Sequence, residues 1–311
     1  MQTPVPGIDP QAARGTSGID THFPQGTPGI DLHAHTTASD GSLSPTELVQ
    51  AADALGLAAL AVTDHDTVDG LAEALQAAQD AHLIVVPGVE LSVEDDAGRF
   101  HLLGYSFNPQ DKELSDALTH LRQSRAARNT LMAQKMADLG LPLTMDDVRA
   151  EAGPDSQVVA RPHFAQALLK RGLVDSVQDA FDRYLATGMP LYMPKEVLTP
   201  HDAIALIHRA GGVAVMAHPG LVALSDDALA ARIASLASQS NLDGIEAYYS
   251  QHTEEQTRRF LQIAQQNHMI VTGGSDFHGT SKPHVPLGIV YQGKPAPPAL
   301  LDALNARQAA R

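Results

Sequence analysis

Ile30-Asp-Leu-His-Ala-His35 is a short, largely apolar run that ends in two imidazoles. A β-strand sends successive side chains to opposite faces, so His33 and His35 point to the same side. Four further segments end in residues of the same kind: Thr63-Asp-His-Asp66, Pro87-Gly-Val-Glu90, Ala217-His-Pro219 and Ser275-Asp-Phe-His278. Most of them follow a β-branched or apolar run, and Asp276 and His278 repeat the i, i+2 relation. The chain thus aims imidazoles and carboxylates at one point from the ends of several strands. Nitrogen and oxygen donors without sulfur suit zinc, manganese or iron(II) held for Lewis-acid chemistry.

Working outward from these motifs, strand and helix patterns alternate. Ile30–His35 reads as strand, and Ser44-Pro-Thr-Glu47 is a capping box with proline at the first helical position, opening a helix to about Leu55. Ala58–Thr63 reads as strand, Val68–Ala81 as helix and Leu83–Val89 as strand. Phe100–Tyr105 is a further strand, paired through the turn Asp95-Asp-Ala-Gly98. From Lys112 to Leu185 helical periodicity takes over, broken at Leu139–Leu143 and Glu151–Asp155 into three or four helices. Alternation resumes after the second cap, Thr199-Pro200. Strands are expected at Val213–Ala217, Gly244–Tyr248, Met269–Thr272 and Leu287–Tyr291, with helices near Asp226–Ser238 and Glu254–Asn267.

Repeated β–α units imply parallel strands with helices outside, and about seven such strands can close into a barrel. The resulting expectation is an α/β chain in four parts. Residues 1–29, rich in Gly, Pro, Thr and Gln, form a disordered leader; 30–105 and 195–311 form the two parts of a barrel; 106–194 form a helical insertion beside its mouth. In α/β barrels the chemistry sits at the carboxyl ends of the strands, where these motifs lie.

Composition narrows the function. The 311 residues contain no cysteine, so no disulfide or thiolate ligand is available, an absence compatible with the cytoplasm. No stretch approaches the roughly 20 apolar residues that span a bilayer, and no membrane partner is expected. A formal charge of −15 argues against binding extended duplex nucleic acid. That charge is uneven: residues 106–194 hold 10 Lys/Arg against 11 Asp/Glu, leaving 11 against 25 elsewhere. The insertion is therefore the segment suited to an anionic substrate. Nothing in the sequence sets an oligomeric state.

Each motif has a plainer reading. His33 and His35 could be ordinary strand histidines, Asp40 a turn residue, and His65 a helix-capping neighbour. Glu90 closes an apolar strand, where an uncompensated carboxylate is costly unless a cation is near. His101 lies in the next strand and His218 ends Val-Ala-Val-Met-Ala. Each plain reading is tolerable alone, but nine together are not, and a metal site is the economical account.

The same residues carry a resemblance. Asp31–His35 with Asp40, Thr63-Asp-His-Asp-Thr-Val-Asp-Gly70, Pro-Gly-Val-Glu90, Ala-His-Pro219 and Gly-Ser-Asp-Phe-His278 resemble the PHP (polymerase and histidinol phosphatase) superfamily over residues 30–291. The helical insertion and Arg161-Pro-His-Phe164 resemble the branch containing 3′,5′-nucleoside bisphosphate phosphatases and 5′→3′ exonucleases on short RNA. The resemblance implies a distorted (β/α)7 barrel of PHP type with two or three divalent ions: manganese, zinc or iron. It implies a first ion on His33, His35, Glu90 and Asp276, a second on Asp40, His65 and His278, and a third on Glu90, His101 and His218. It further implies attack on phosphorus by a metal-bridging hydroxide, with Asp40, His65, Asp276 and His278 as the catalytic ligands.

Substrate contacts are read from charge and placement. Arg122, Arg125 and Arg128 recur at i, i+3, i+6, a stripe able to face a phosphate or, equally, solvent. Arg161 and His163 flank Pro162 just before a helix, a geometry that favours an anion. Lys195 is a further candidate. Tyr248, Tyr249 and His252 follow a strand end and could stack on a base, with core packing an equal alternative for the tyrosines. The expected substrate is a nucleoside 3′,5′-bisphosphate, with short 5′-phosphorylated RNA as the alternative. An amidohydrolase or a non-catalytic metal-binding module are the rivals from other classes. The first would hold metals through a carboxylated lysine after a later strand, and no lysine here sits in that position.

Overall fold

The computed structural model describes residues 28–153, 159–194 and 196–311. The expected leader falls outside this range apart from Pro28 and Gly29, as does Lys195. Seven strands form one sheet in sequence order: β1 (Ile30–Ala34), β2 (Ala59–Val62), β3 (Ile84–Asp95), β4 (Gly98–Tyr105), β5 (Val213–Met216), β6 (Gly244–Tyr249) and β7 (Ile270–Gly274). The sheet nearly closes on itself. The His35 amide donates to the Phe277 carbonyl at 2.9 Å and the Asp276 amide to the His33 carbonyl at 2.8 Å, joining the end of β7 to β1.

Runs such as Ala59-Leu-Ala-Val62 and Val213-Ala-Val-Met216 are buried throughout, as strands covered on both faces require. Helices cover the outside: α1 (Pro45–Ala54) and α2 (Leu71–Ala77) lie against the first strands. After the insertion, α7 (Pro200–Arg209) packs on β3–β5, α8 (Asp226–Ser240) on its neighbouring helices, α9 (Glu254–Gln266) on β6 and α10 (Ala299–Ala309) on β7. The capping box at Ser44 forms, with Ser44 Oγ accepting from Glu47 and Glu47 accepting from Ser44. The expected helix 68–81 is shorter, because it passes into a 3₁₀ turn at Ala78–Asp80.

Two expectations are corrected. The strands are not all parallel: β4 runs antiparallel to both β3 and β5, since the tight Asp95–Gly98 turn allows only a hairpin. Leu287–Tyr291 is no strand. Gly288 there has φ +75°, its amide donates to Asp31 Oδ2 at 2.9 Å, and the Val290 amide turns back to the Lys294 carbonyl. Asp31, buried, also accepts from the Ser275 amide, so this member of the first motif anchors loops and stands outside the metal cluster.

The insertion contributes α3 (Lys112–Asp138), α4 (Met145–Ala152), α5 (Arg161–Lys170), α6 (Val177–Ala180) and a π turn at Phe181–Leu185. It has its own buried cluster, including Met132, Met136, Val148, Phe164, Leu168 and Leu185, separate from the barrel core.

Barrel closure depends on close approach at Gly274, where an added Cβ would lie 2.1 Å from His33 Cβ and 2.5 Å from its amide nitrogen. Gly274→Ala should therefore push β7 off β1, costing about 1–3 kcal/mol. Thermal denaturation checks this, and an unchanged melting temperature would show that the seam is compliant.

Candidate metal centre

The nine motif residues converge at one rim of the barrel. His33 and His35 come from the end of β1, His65 from the loop after β2, Glu90 from β3, His218 from the loop after β5, and Asp276 and His278 from the loop after β7. His101 reaches the same rim from the first half of β4, because that strand runs the opposite way. Asp40 enters from the loop after β1.

Glu90 stands in the middle, fully buried. Its Oε2 lies 3.3 Å from His33 Nε2, 3.2 Å from His35 Nε2 and 3.0 Å from His65 Nδ1. Its Oε1 lies 2.7 Å from His101 Nδ1 and 2.9 Å from His218 Nε2. Asp276 Oδ1 lies 3.3 Å from His35 Nε2 and 3.4 Å from His278 Nδ1, and Asp40 Oδ1 is 3.3 Å from His278 Nε2. Three sets bring their donor atoms within 4.8 Å of one another: His33, His35, Glu90 and Asp276; His35, Asp40, His65 and His278; and His65, Glu90 and His101. The first set matches the expected first site. His35 also reaches the second, and His65 stands in the third where His218 was expected.

The donor atoms fit a polynuclear cation site on a direct test. Among the described residues, His33 Nε2, both ring nitrogens of His35, His65 Nδ1 and Glu90 Oε2 are buried without any hydrogen-bond partner. Buried polar atoms rarely go unsatisfied; others are scattered through the fold, Arg232 Nε and Thr257 Oγ1 among them, but these five are clustered and all are metal donors. Two of the residues also hold positive φ, His218 at 26° and Asp276 at 61°. Such conformations cost about 1–3 kcal/mol each and collect at functional sites.

The electrostatics follow from packing. Burial alone would push the His33 imidazole down, but Glu246, Glu90 and Asp276 together hold it well above its ordinary value. His35 also overcomes burial, through Asp276 and Glu90, and is raised to about 9. For His65 burial wins, aided by repulsion from His35 and His101, and it falls to about 3. Burial opposes ionisation of Asp40, Glu90 and Asp276, yet the surrounding imidazoles, with Lys282 beside Asp276, hold all three carboxyls well below their usual range.

A cavity of about 230 Å³ opens over this rim, lined by Asp40, His65 and His101 together with Arg99, Arg125, Arg128 and Arg161. The arginine stripe of α3 divides. Arg122 pairs with Asp69 at 3.1 Å and Arg125 with buried Asp66, so both dock the insertion on the loop after β2. Arg128 has no carboxylate partner among the described residues, bonding only Asn129 at 3.0 Å. Burial, with crowding by Arg125, Arg161 and Arg99, lowers its guanidinium to about 9. Arg161 donates to the Leu185 carbonyl and lies 5.7 Å over the Tyr192 ring. His163 is buried, its Nδ1 accepting from the Ala160 amide. Arg99, in β4, carried no motif and was missed.

Tyr248 and His252 are not brought to the cavity. The register of β6 against β7 shifts between Glu246 and Tyr248, which breaks strict alternation. Tyr249 therefore turns inward, donating to Asp276 Oδ2 at 2.9 Å, while Tyr248 packs against Tyr291. His252 sits behind Tyr249, bonded to the Ala247 carbonyl and the Gly220 amide. Also unanticipated are Lys282, 2.7 Å from Asp276 Oδ2, and Glu246, 3.0 Å from His33 Nδ1. A lone glutamate inside the buried run Gly244–Tyr249 is a signal that could have found the latter.

A family model of the PHP domain matches residues 31–149. The chain is 34% identical to 5′-3′ exoribonuclease Rnm of Escherichia coli over 247 residues, 79% of this chain and 83% of that one. It is 32% identical to the 3′,5′-nucleoside bisphosphate phosphatase of Chromobacterium violaceum over 244 residues, 78% of this chain and 85% of the relative. Among solved structures, a protein of Bifidobacterium adolescentis assigned as a metal-dependent phosphoesterase superimposes with a TM-score of 0.79 at 33% identity, covering 90% of this chain and 96% of that one.

Proposed function

The chain belongs to the PHP family of metal-dependent phosphoesterases, and from that premise we propose that it removes a phosphate from a nucleoside 3′,5′-bisphosphate. The observation that carries this reading is one cavity whose lining joins members of the carboxylate–imidazole cluster to four guanidinium groups. A substrate with two phosphates meets both kinds of group at once. Arg128, without a carboxylate partner among the described residues and crowded by like charge, gains most from a dianion.

Divalent ions held by His33, His35, Glu90 and Asp276, by Asp40, His65 and His278, and by Glu90, His101 and His218 would supply Lewis acidity and a water of depressed pKa. The protein's own part is positioning. Arg128 and Arg161, from α3 and α5, bind the phosphate that is retained and so fix the ester against the metal ligands. His163 and the rest of the 106–194 insertion act as a cap over the barrel rim. Arg125 serves by holding Asp66, next to His65, rather than by meeting substrate alone.

The name of the Escherichia coli relative favours a second reading, stepwise 5′→3′ hydrolysis of short RNA. Phosphate release by manganese-reconstituted protein, compared between adenosine 3′,5′-bisphosphate and a 5′-phosphorylated short RNA, separates the two. Fast release of one phosphate from the bisphosphate with RNA largely intact supports the phosphatase. Efficient release of mononucleotides replaces it with the exonuclease, and turnover of neither removes both. Arg128→Ala should raise KM for the bisphosphate with kcat changed less, the loss of charged hydrogen bonds amounting to about 1.5–3 kcal/mol. Steady-state kinetics measure this, and an unchanged KM would remove Arg128 from the substrate contacts.

A further inference from the structure

We infer that Glu246 is a positioning residue, a buried carboxylate that fixes two ligand histidines, one from β1 and one from the loop after β5, and so sets how many ions the centre holds. The inference rests on the metal-centre reading and adds to it a residue outside the nine-residue motif set. Glu246 is fully buried in β6 and uses its two oxygens separately. Oε1 lies 3.0 Å from His33 Nδ1, while Oε2 accepts the His218 backbone amide at 2.7 Å.

The first contact decides which ring nitrogen can ligate. A carboxylate only accepts, so His33 Nδ1 must carry the hydrogen, leaving Nε2 free to bind; Nε2 is the orphaned atom that faces Glu90 and Asp276. The second contact holds His218 in a backbone conformation that a residue with a Cβ rarely adopts, φ 26° and ψ 60°. In that conformation His218 Nε2 lies 2.9 Å from Glu90 Oε1. One side chain thus sets a tautomer on β1 and a backbone bend after β5.

Glutamine has nearly the same shape but cannot serve both donors. With its carbonyl oxygen toward His218, its amide N–H faces His33 Nδ1 and forces that nitrogen to accept. The ring hydrogen then sits on Nε2, where it blocks ligation. With the amide flipped, two N–H groups confront each other at His218 and the bend loses its acceptor. Either orientation costs one ligand.

The test uses zinc, which is diamagnetic. Wild-type and Glu246→Gln proteins are reconstituted and dialysed against a zinc buffer, zinc per chain is counted by mass spectrometry, and affinity is read by competition with a chromogenic chelator. The variant should lose at least one ion per chain, or bind it about 10–100-fold more weakly. Near-ultraviolet circular dichroism of the variant should match wild type. Should the variant not fold, two-bond ¹H–¹⁵N spectra of zinc-loaded wild type still decide, since His33 must show a protonated Nδ1 and a metal-bound Nε2. Equal zinc content and affinity in a folded variant, or a protonated His33 Nε2, would overturn the inference alone. Wild-type protein that takes up no zinc would overturn it together with the metal centre.

Discussion

Glu90→Gln is expected to lower kcat/KM at least about 1000-fold, roughly 4 kcal/mol of transition-state stabilisation, with the fold retained. The size follows from where Glu90 sits. Its two oxygens lie within 3.3 Å of five imidazoles, and two of the three candidate ion sets include it. Glutamine keeps the volume but removes the charge and presents a donor to rings that must themselves be neutral acceptors. Losses are therefore shared across the centre and are not confined to one ligand bond. Steady-state kinetics with metal counted in the same preparations check the result. A variant with normal metal content and more than a tenth of wild-type activity would show that the centre is organised around some other group.

Metal affinity should climb steeply with pH, and the metal-free protein should be most stable near pH 6.5. In the metal-free chain His33 lies well above its ordinary 6.5 and His35 is raised to about 9, so both rings are charged at neutral pH. An ion must displace those protons, each contributing about a tenfold gain in affinity per pH unit until its ring is neutral. The stability consequence has a definite sign. The contribution of His33 and His35 is complete below pH 6.5 and lost as pH rises through their folded values, about 9 for His35. His65, lowered to about 3, does the reverse: its contribution is complete above pH 6.5 and lost as pH falls toward 3. The depressed carboxyls of Asp40, Glu90 and Asp276 add a further loss below their ordinary values of 3.8 and 4.5. Melting temperatures of chelator-treated protein across pH 4–9.5 should trace a maximum near 6.5, and saturating metal should lift the alkaline side most. A metal affinity independent of pH between 6.5 and 8.5 would contradict the proton displacement.

The metal cluster was legible because two local rules coincide. Apolar runs mark strands, and period two tells which residues of a run share a face, so His33 with His35 needed no tertiary information. Glu90 was legible for an energetic reason, as a carboxylate in an apolar strand must meet a positive partner, although β3 runs on past it to Asp95. The helical insertion was visible as a change of period between Lys112 and Leu185, and α3 begins at Lys112 as that change indicates.

The misreadings also have physical causes. Alternation predicts that Tyr248 shares a face with Glu246, and a register shift between them transfers that role to Tyr249. The spacing of Arg122, Arg125 and Arg128 places them on one helix face but cannot say what lies opposite. The fold sets Asp69 and Asp66 against the first two and leaves Arg128 in the cavity. Arg99 has no neighbours in sequence that mark it, and Glu246 is marked only as a lone carboxylate in an apolar run; they matter because β4 runs backwards and because β6 lies between β5 and β7.

By itself, then, the sequence determined where most strands lie, the donor set and the chemistry that such donors support, since these depend on residue type and on periods of two and 3.6. The tertiary structure alone decided which carboxylate lies at the centre, which arginines stay available to an anion and which buried groups orient the ligands. Those outcomes depend on distances between strands far apart in sequence, which no local pattern encodes.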